Sequence, residues 1–276
     1  MKNIFTIDTE DWFHANYEDG LFQNSADVRS TVEENTQVYL EILEKYHATA
    51  TFFVLGFVAD QHPQLVRRIA DAGHEIASHG YGHQLVYKQT PAEFREDICY
   101  SKKLLEDIIG KPVLGYRAPS WSITERSFWA LGILKELGFQ YDSSIFPFKN
   151  FLYGVKGAPR FPYDASKYCE NATGIIEVPP STIRVPFLNV PFSGGFYFRA
   201  LPYPAIYGCA KFVNYEKYPV VFYLHPREID PDQPRLSLSK RDTLIHYFGI
   251  KGCKKKLDGV IRDFDCGSIR DVLKIE

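Results

Sequence analysis

Gly73-His74-Glu75-Ile76-Ala77-Ser78-His79-Gly80-Tyr81-Gly82-His83 runs from a turn glycine through a short apolar strand to two histidines four residues apart. A strand ending in His-x-x-x-His aims two imidazoles at one point if the chain turns or starts a helix there. Two imidazoles and a nearby carboxylate make a divalent-metal site with positions left for water and substrate. The same spacing also arises by chance in exposed loops. The rest of the chain must therefore supply the carboxylate and the context.

Upstream, Asn3 to Ile7 is a short apolar strand that reaches Asp8 directly, followed by Thr9, Glu10, Asp11 and Trp12. Three acids within four residues at a strand end are costly unless a cation sits there. A solvated turn with a helix N-cap is the alternative. Helical periodicity covers 31–46, with Val38, Leu40, Ile42 and Leu43 on one face, and a second apolar strand covers 48–55. A helix over 63–72 leads into the histidine stretch. Downstream, Thr90-Pro91-Ala92-Glu93 reads as an N-cap, a proline at the first helical position and an acidic first turn. That helix ends at Gly110.

Strands alternating with helices predict a parallel sheet with crossover helices. In such folds chemistry gathers at the C-terminal ends of strands. Asp8 and His79 occupy such ends, and so do Arg117 in Arg117-Ala118-Pro119-Ser120-Trp121, Asp142 and His225. Further helices are expected over 124–137, 204–216, 240–248 and 254–264. An irregular, Pro-, Gly- and Tyr-rich insertion is expected around 146–171. Ser193-Gly194-Gly195-Phe196-Tyr197-Phe198-Arg199 reads as a glycine turn amid aromatics.

Composition bounds the function. The 276 residues suit one large α/β domain spanning 1–276, with 32 basic against 34 acidic side chains. A net charge of -2 implies no general affinity for nucleic acid or an anionic membrane. Most of the 18 Tyr, 21 Phe and 3 Trp are expected in the core, and some could form a sugar-stacking cleft. Five scattered cysteines without a CxxC pair signal free thiols rather than a disulfide framework. No secretory h-region and no membrane-length apolar run is seen, so a cytoplasmic protein with no membrane span is expected.

Asp8, Glu10 or Asp11, His79, His83, Arg117, Asp142 and His225, each after a strand and in this order, resemble the polysaccharide deacetylase family, the NodB-homology carbohydrate esterases. The resemblance extends from Phe5 to Asp230. Asp8-Thr9-Glu10-Asp11-Trp12-Phe13 and Gly194-Gly195-Phe196-Tyr197-Phe198-Arg199 are similar to its exopolysaccharide-synthesis branch. It implies a distorted (β/α)7 barrel that removes acetyl from N-acetylated sugars of a polysaccharide or its precursor with a divalent metal, zinc first, cobalt or nickel also fitting. Oligomeric state is left open.

The resemblance also implies residue roles. Asp8 is the base, and Arg117 orients it. His79 and His83 hold the metal with Glu10, Asp11 being the reserve. Trp121 walls the groove, and a backbone N–H near Tyr81 or Trp121 faces the oxyanion. Asp142 holds His225, which protonates the leaving amine. Two other readings are an amidohydrolase of the same fold acting on a non-sugar C–N bond, and a non-catalytic carbohydrate-binding protein with a relict site.

Overall fold

A computed structural model describes residues 1–16, 29–186 and 188–276. Strand β1 (Asn3–Thr9) is buried along its whole length, as a strand covered on both faces of a parallel sheet should be. The strands that follow are β2 (Thr51–Val54), β3 (Glu75–Ser78), β4 (Gly115–Tyr116), β5 (Tyr141–Asp142), β6 (Tyr163–Asp164), β7 (Ile176–Glu177), β8 (Thr182–Val185), β9 (Leu188–Pro191), β10 (Val221–Leu224) and β11 (Cys266–Gly267). The main sheet runs β10-β1-β2-β3-β4-β5-β7-β6, parallel except for the edge strand β6, and β11 pairs with the start of β1.

Helices are α1 (Val32–Lys45), α2 (Gly56–Gln61), α3 (Pro63–Asp71), α4 (Pro91–Ile109), α5 (Trp129–Glu136), α6 (Gly195–Ala200), α7 (Tyr203–Tyr215), α8 (Lys240–Tyr247), α9 (Ile250–Asp263) and α10 (Ile269–Leu273). The Thr90 hydroxyl accepts from the Glu93 N–H while the Glu93 carboxylate accepts from the Thr90 N–H, and Gly110 closes α4 in the left-handed conformation.

The sheet curls. Ile4, Phe53, Ala77, Tyr141, Val178 and Val221 pack into one cluster inside the curl, and Ile269 and Ile275 join it. Phe5, Ile7, Phe52, Ile76 and Phe222 alternate with them and pack against the helices. Gly115 makes room for the Tyr141 ring, which a Cβ there would meet at 1.9 Å. Among the described residues no strand closes the ring between β7 and β10. Loop backbone bridges instead: Ser181 N–H donates to Val221 O at 3.3 Å and Tyr223 N–H to Ser193 O at 3.1 Å. The result is an α/β fold with a distorted barrel of β/α units.

Several expected elements differ. Helix α5 is shorter than 124–137, because Ser127 Oγ donates to Ser122 O and accepts from Thr124 N–H, tying 122–127 into turns. The insertion around 146–171 carries edge strand β6, and its Phe146 and Tyr153 rings lie 5.3 Å apart. The hairpin of β8 and β9 and the short helix α6 were not expected from the sequence. Among the described residues no helix is long and apolar enough to cross a membrane.

Candidate active site

Period-two alternation places the site. Ile4 faces the inside of the curl, so Thr6 and Asp8 do too; Ala77 carries His79 to the same side, and Val221 carries Tyr223 and His225. These side chains meet at the C-terminal mouth, in a pocket lined by Asp8, Glu10, His79, His83, Trp121, Tyr223 and His225 among others.

Glu10, His79 and His83 are buried and offer ligand atoms that all lie within 4.8 Å of one another. Glu10 Oε2 stands 2.5 Å from His83 Nε2 and 3.7 Å from His79 Nε2. Yet this sealed oxygen has no hydrogen-bond partner. Burial alone would push the Glu10 carboxyl up, but His83, His79 and His225 outweigh it and hold it well below its ordinary value. Converging lone pairs with an unsatisfied anionic oxygen suit a divalent cation, and the group could bind one.

The supports of that group are backbone-level. His79 Nδ1–H donates to Arg117 O at 2.8 Å, which leaves Nε2 for the pocket. The Tyr81 and Gly82 N–H groups donate to the Asp97 carboxylate on α4, fixing the turn between the histidines. His83, Ser120 and Trp121 all hold positive φ, a backbone strain that clusters at functional sites. Asp11, the reserve ligand, is spent elsewhere: it accepts from the Trp12 and Thr31 N–H groups and from the Ser30 hydroxyl.

Asp8 is held by a fully buried Arg117, whose Nη1 donates to Asp8 Oδ1 at 2.5 Å. The guanidinium is fixed in turn by Thr6 Oγ1, Ser143 Oγ and Ser143 O, and lies 4.0 Å over Phe53 and 4.6 Å over Trp121. Asp8 Oδ2 faces His225 Nε2 at 3.7 Å. Trp121 does wall the pocket, edge-on to Phe146 and Tyr223.

Two expectations are overturned. Asp142 does not hold His225. It is fully buried, its Oδ1 accepts from Ser144 Oγ–H at 2.5 Å, and its Oδ2 lies unpartnered like Glu177 Oε2. Burial raises Asp142 to about 6 and Glu177 well above its ordinary value, the acid pair interacting as if sharing one proton. Their outer oxygens anchor the loop after β5, Glu177 Oε1 accepting from the Ser144 and Ile145 N–H groups.

The partner of His225 is instead Glu228. Its Oε2 accepts from His225 Nδ1 at 2.9 Å and from the His225 N–H at 3.0 Å, and its Oε1 accepts from Arg199 Nε at 2.6 Å. Burial would raise Glu228, but Arg199 and His225 hold it well below the carboxylate range. Burial would lower His225, but Glu228 above all, with Glu10 and Asp8, raises it. Second, Tyr81 does not face the pocket as a donor. Its N–H is taken by Asp97, and its ring packs 4.9 Å from Tyr100. The Trp121 N–H is likewise taken, by Ala118 O at 3.1 Å.

Residues 14–141 match the family described as "Polysaccharide deacetylase", and 143–274 match a "Domain of unknown function (DUF3473)". A peptidoglycan deacetylase of Helicobacter pylori is 35% identical over 106 residues, 38% of this chain and 35% of that protein. A peptidoglycan-N-acetylglucosamine deacetylase of Bacillus cereus is 33% identical over 105 residues, 38% of this chain and 47% of that protein. The chain thus spans between about a third and a half of these relatives' length. The crystal structure of a polysaccharide deacetylase from Mycobacterium smegmatis, so described as putative, shares the fold. Its TM-score is 0.63 at 20% identity, covering 98% of this chain and 88% of that one.

Proposed function

Because the chain carries a polysaccharide deacetylase domain, we propose that it is a metal-dependent hydrolase that removes N-acetyl groups from an acetylated polysaccharide or its precursor, releasing acetate. The polymer proposed is an exopolysaccharide. The observation that carries the reading is the convergence of three devices on one mouth: the Glu10, His79 and His83 donor set, the Arg117-held Asp8, and the Glu228-held His225.

Glu10, His79 and His83 would hold the cation, zinc suiting two imidazoles and a carboxylate, with cobalt or nickel as alternatives. When bound, such an ion supplies Lewis acidity toward the acetyl oxygen and lowers the pKa of water. Asp8 Oδ2, the oxygen left free by Arg117, takes the proton of the attacking water. His225 presents Nε2 to the same space, because Nδ1–H is committed to Glu228. Held protonated by that carboxylate, it donates to the departing amine, which is too basic to leave unprotonated. Trp121 and Tyr223 give the sugar an apolar wall.

The half of the chain from residue 143 contributes His225, Glu228 and Arg199, so in this reading the domain of unknown function completes the acid side of the site. The test is acetate release from a panel of N-acetylhexosamine oligomers by metal-loaded protein. Stoichiometric metal with no acetate from any oligomer would favour a relict binding protein and refute the proposal.

A further inference from the structure

Each carboxylate of the pocket already has a cationic or imidazole partner. Asp8 is bonded to Arg117, Glu228 to Arg199 and His225, and Glu10 sits against His83 and His79. Arg227 lines the same pocket; Glu228 acts on it electrostatically, but among the described residues no carboxylate is bonded to its Nε or Nη1. Its Nε and Nη1 are sealed from solvent without a hydrogen bond.

A guanidinium stays charged at every pH the folded protein meets. Sealing part of it away from water without a hydrogen-bonded counter-charge costs free energy unless a ligand repays it. Among the described residues, the other charged side chains with sealed, unpartnered atoms are Glu10, Asp142 and Glu177. Glu10 belongs to the candidate cation-binding group, and Asp142 faces Glu177, burial raising both toward their neutral forms. Arg227 has neither explanation, and the carboxylate that acts on it, Glu228, is already bonded to Arg199 and His225.

Position and surroundings narrow what it would bind. Arg227 is two residues beyond His225 and lines the same pocket. Tyr197, Phe196 and Trp121 line the same pocket and offer flat apolar faces, the kind of surface on which sugar rings sit. We infer that Arg227 binds the carboxylate of an acidic sugar adjoining the N-acetyl sugar, so that the polymer acted on is anionic. This rests on the deacetylase reading above and adds the charge of its substrate.

The experiment uses an oligomer in which N-acetylglucosamine alternates with a uronic acid, and the same oligomer with its carboxylates methyl-esterified. The acetyl groups are identical, so only the charge differs. Wild-type protein should favour the free acid in kcat/KM by about tenfold to a hundredfold, the span of one charge-assisted hydrogen bond. Arg227→Gln should bring that ratio close to one, chiefly through KM, and Arg227→Lys should restore part of it. A ratio of one in wild-type protein, or a ratio that survives in Arg227→Gln, overturns the inference. A phosphorylated chitin oligomer turned over faster than the uronate oligomer would reassign the anion and overturn the carboxylate.

Calorimetric binding of both oligomers to the same proteins separates the two claims. Acid-selective, Arg227-dependent binding without acetate release would refute the deacetylase reading and sustain this one. Equal binding of acid and ester would refute this one, whatever the turnover. Thermal melts of both variants check that they fold.

Discussion

Glu228→Gln keeps the shape of the side chain and removes its charge. In the native site one oxygen accepts from Arg199 and the other from both the Nδ1 and the backbone N–H of His225. An amide has a single acceptor oxygen, so one of these neighbours must now face an NH2 group. Breaking a buried pair costs about 3–5 kcal/mol. Arg199 keeps the Ile245, His246 and Phe248 carbonyls, so the loss of stability should sit near the lower end, about 3 kcal/mol.

The effect on activity is separable. Glu228 is the largest influence raising His225 above its ordinary 6.5. The protonated imidazole is present below the folded pKa and lost as pH rises through it. Without Glu228, burial dominates and the high-pH limb of kcat should move to lower pH. Turnover of an acetylated sugar at neutral pH should fall by about 10²–10⁴, the worth of a general acid. Turnover of an aryl acetate, whose leaving group needs no proton, should fall far less. The measurement is a pH–kcat profile on both substrates for Glu228→Gln and Asp142→Asn. An unmoved limb in Glu228→Gln, or a limb moved as far by Asp142→Asn, would refute the assignment.

Asp8→Asn should keep its metal and lose about 10²–10⁴ in turnover on both substrates, judged by metal analysis and acetate release; retained metal with full turnover would remove Asp8 from the base role. Glu10→Gln should weaken zinc affinity in a competition titration far more than Asp11→Asn, whereas Asp11→Asn, which loosens the anchor of residues 30–31, should lower the melting temperature; the reverse pattern would move the ligand to Asp11. Asp142 is raised to about 6 by burial, above its unfolded value, so its contribution to stability is largest at low pH and is lost as pH rises through that value. Asp142→Asn should therefore gain in melting temperature relative to wild type between pH 4.5 and pH 8, and a pH-independent difference would count against the shared proton.

The succession of short apolar strands and helices is written in the sequence, so the parallel sheet and the strand-end residues Asp8, His79, Arg117 and His225 were legible there, whereas the barrel came from the family resemblance. The His79 and His83 pair was read from its spacing after a strand, while Glu10 was chosen over Asp11 only on the family resemblance. Glu228 was missed although its signal was present. His225-Pro226-Arg227-Glu228 repeats the pattern of Thr90-Pro91-Ala92-Glu93, a cap with proline at the first position and glutamate at the third. Read that way, the glutamate reaches back to the capping residue, here the side chain of His225. Asp142, the strand-end acid chosen instead, pairs with Glu177, a neighbour made by the β5 and β7 pairing and invisible to local pattern. Arg199 and Asp97 act across such tertiary distances too.

Strand β1 lies between β2 and β10, and its register with β10 joins Ile4 to Val221 and Ile7 to Leu224. During synthesis the first half of the chain can therefore assemble β1, β2 and β3 and bring Glu10 to both histidines while one side of β1 still offers unpaired backbone groups. Only when residues 221–228 emerge does that side close, and the same event delivers His225 beside Asp8. Closing so long a loop is slow. A chain at that stage would hold the three candidate cation ligands without the proposed proton donor, so the arrival of residues 221–228 would complete the candidate site and cover a sticky edge in one step.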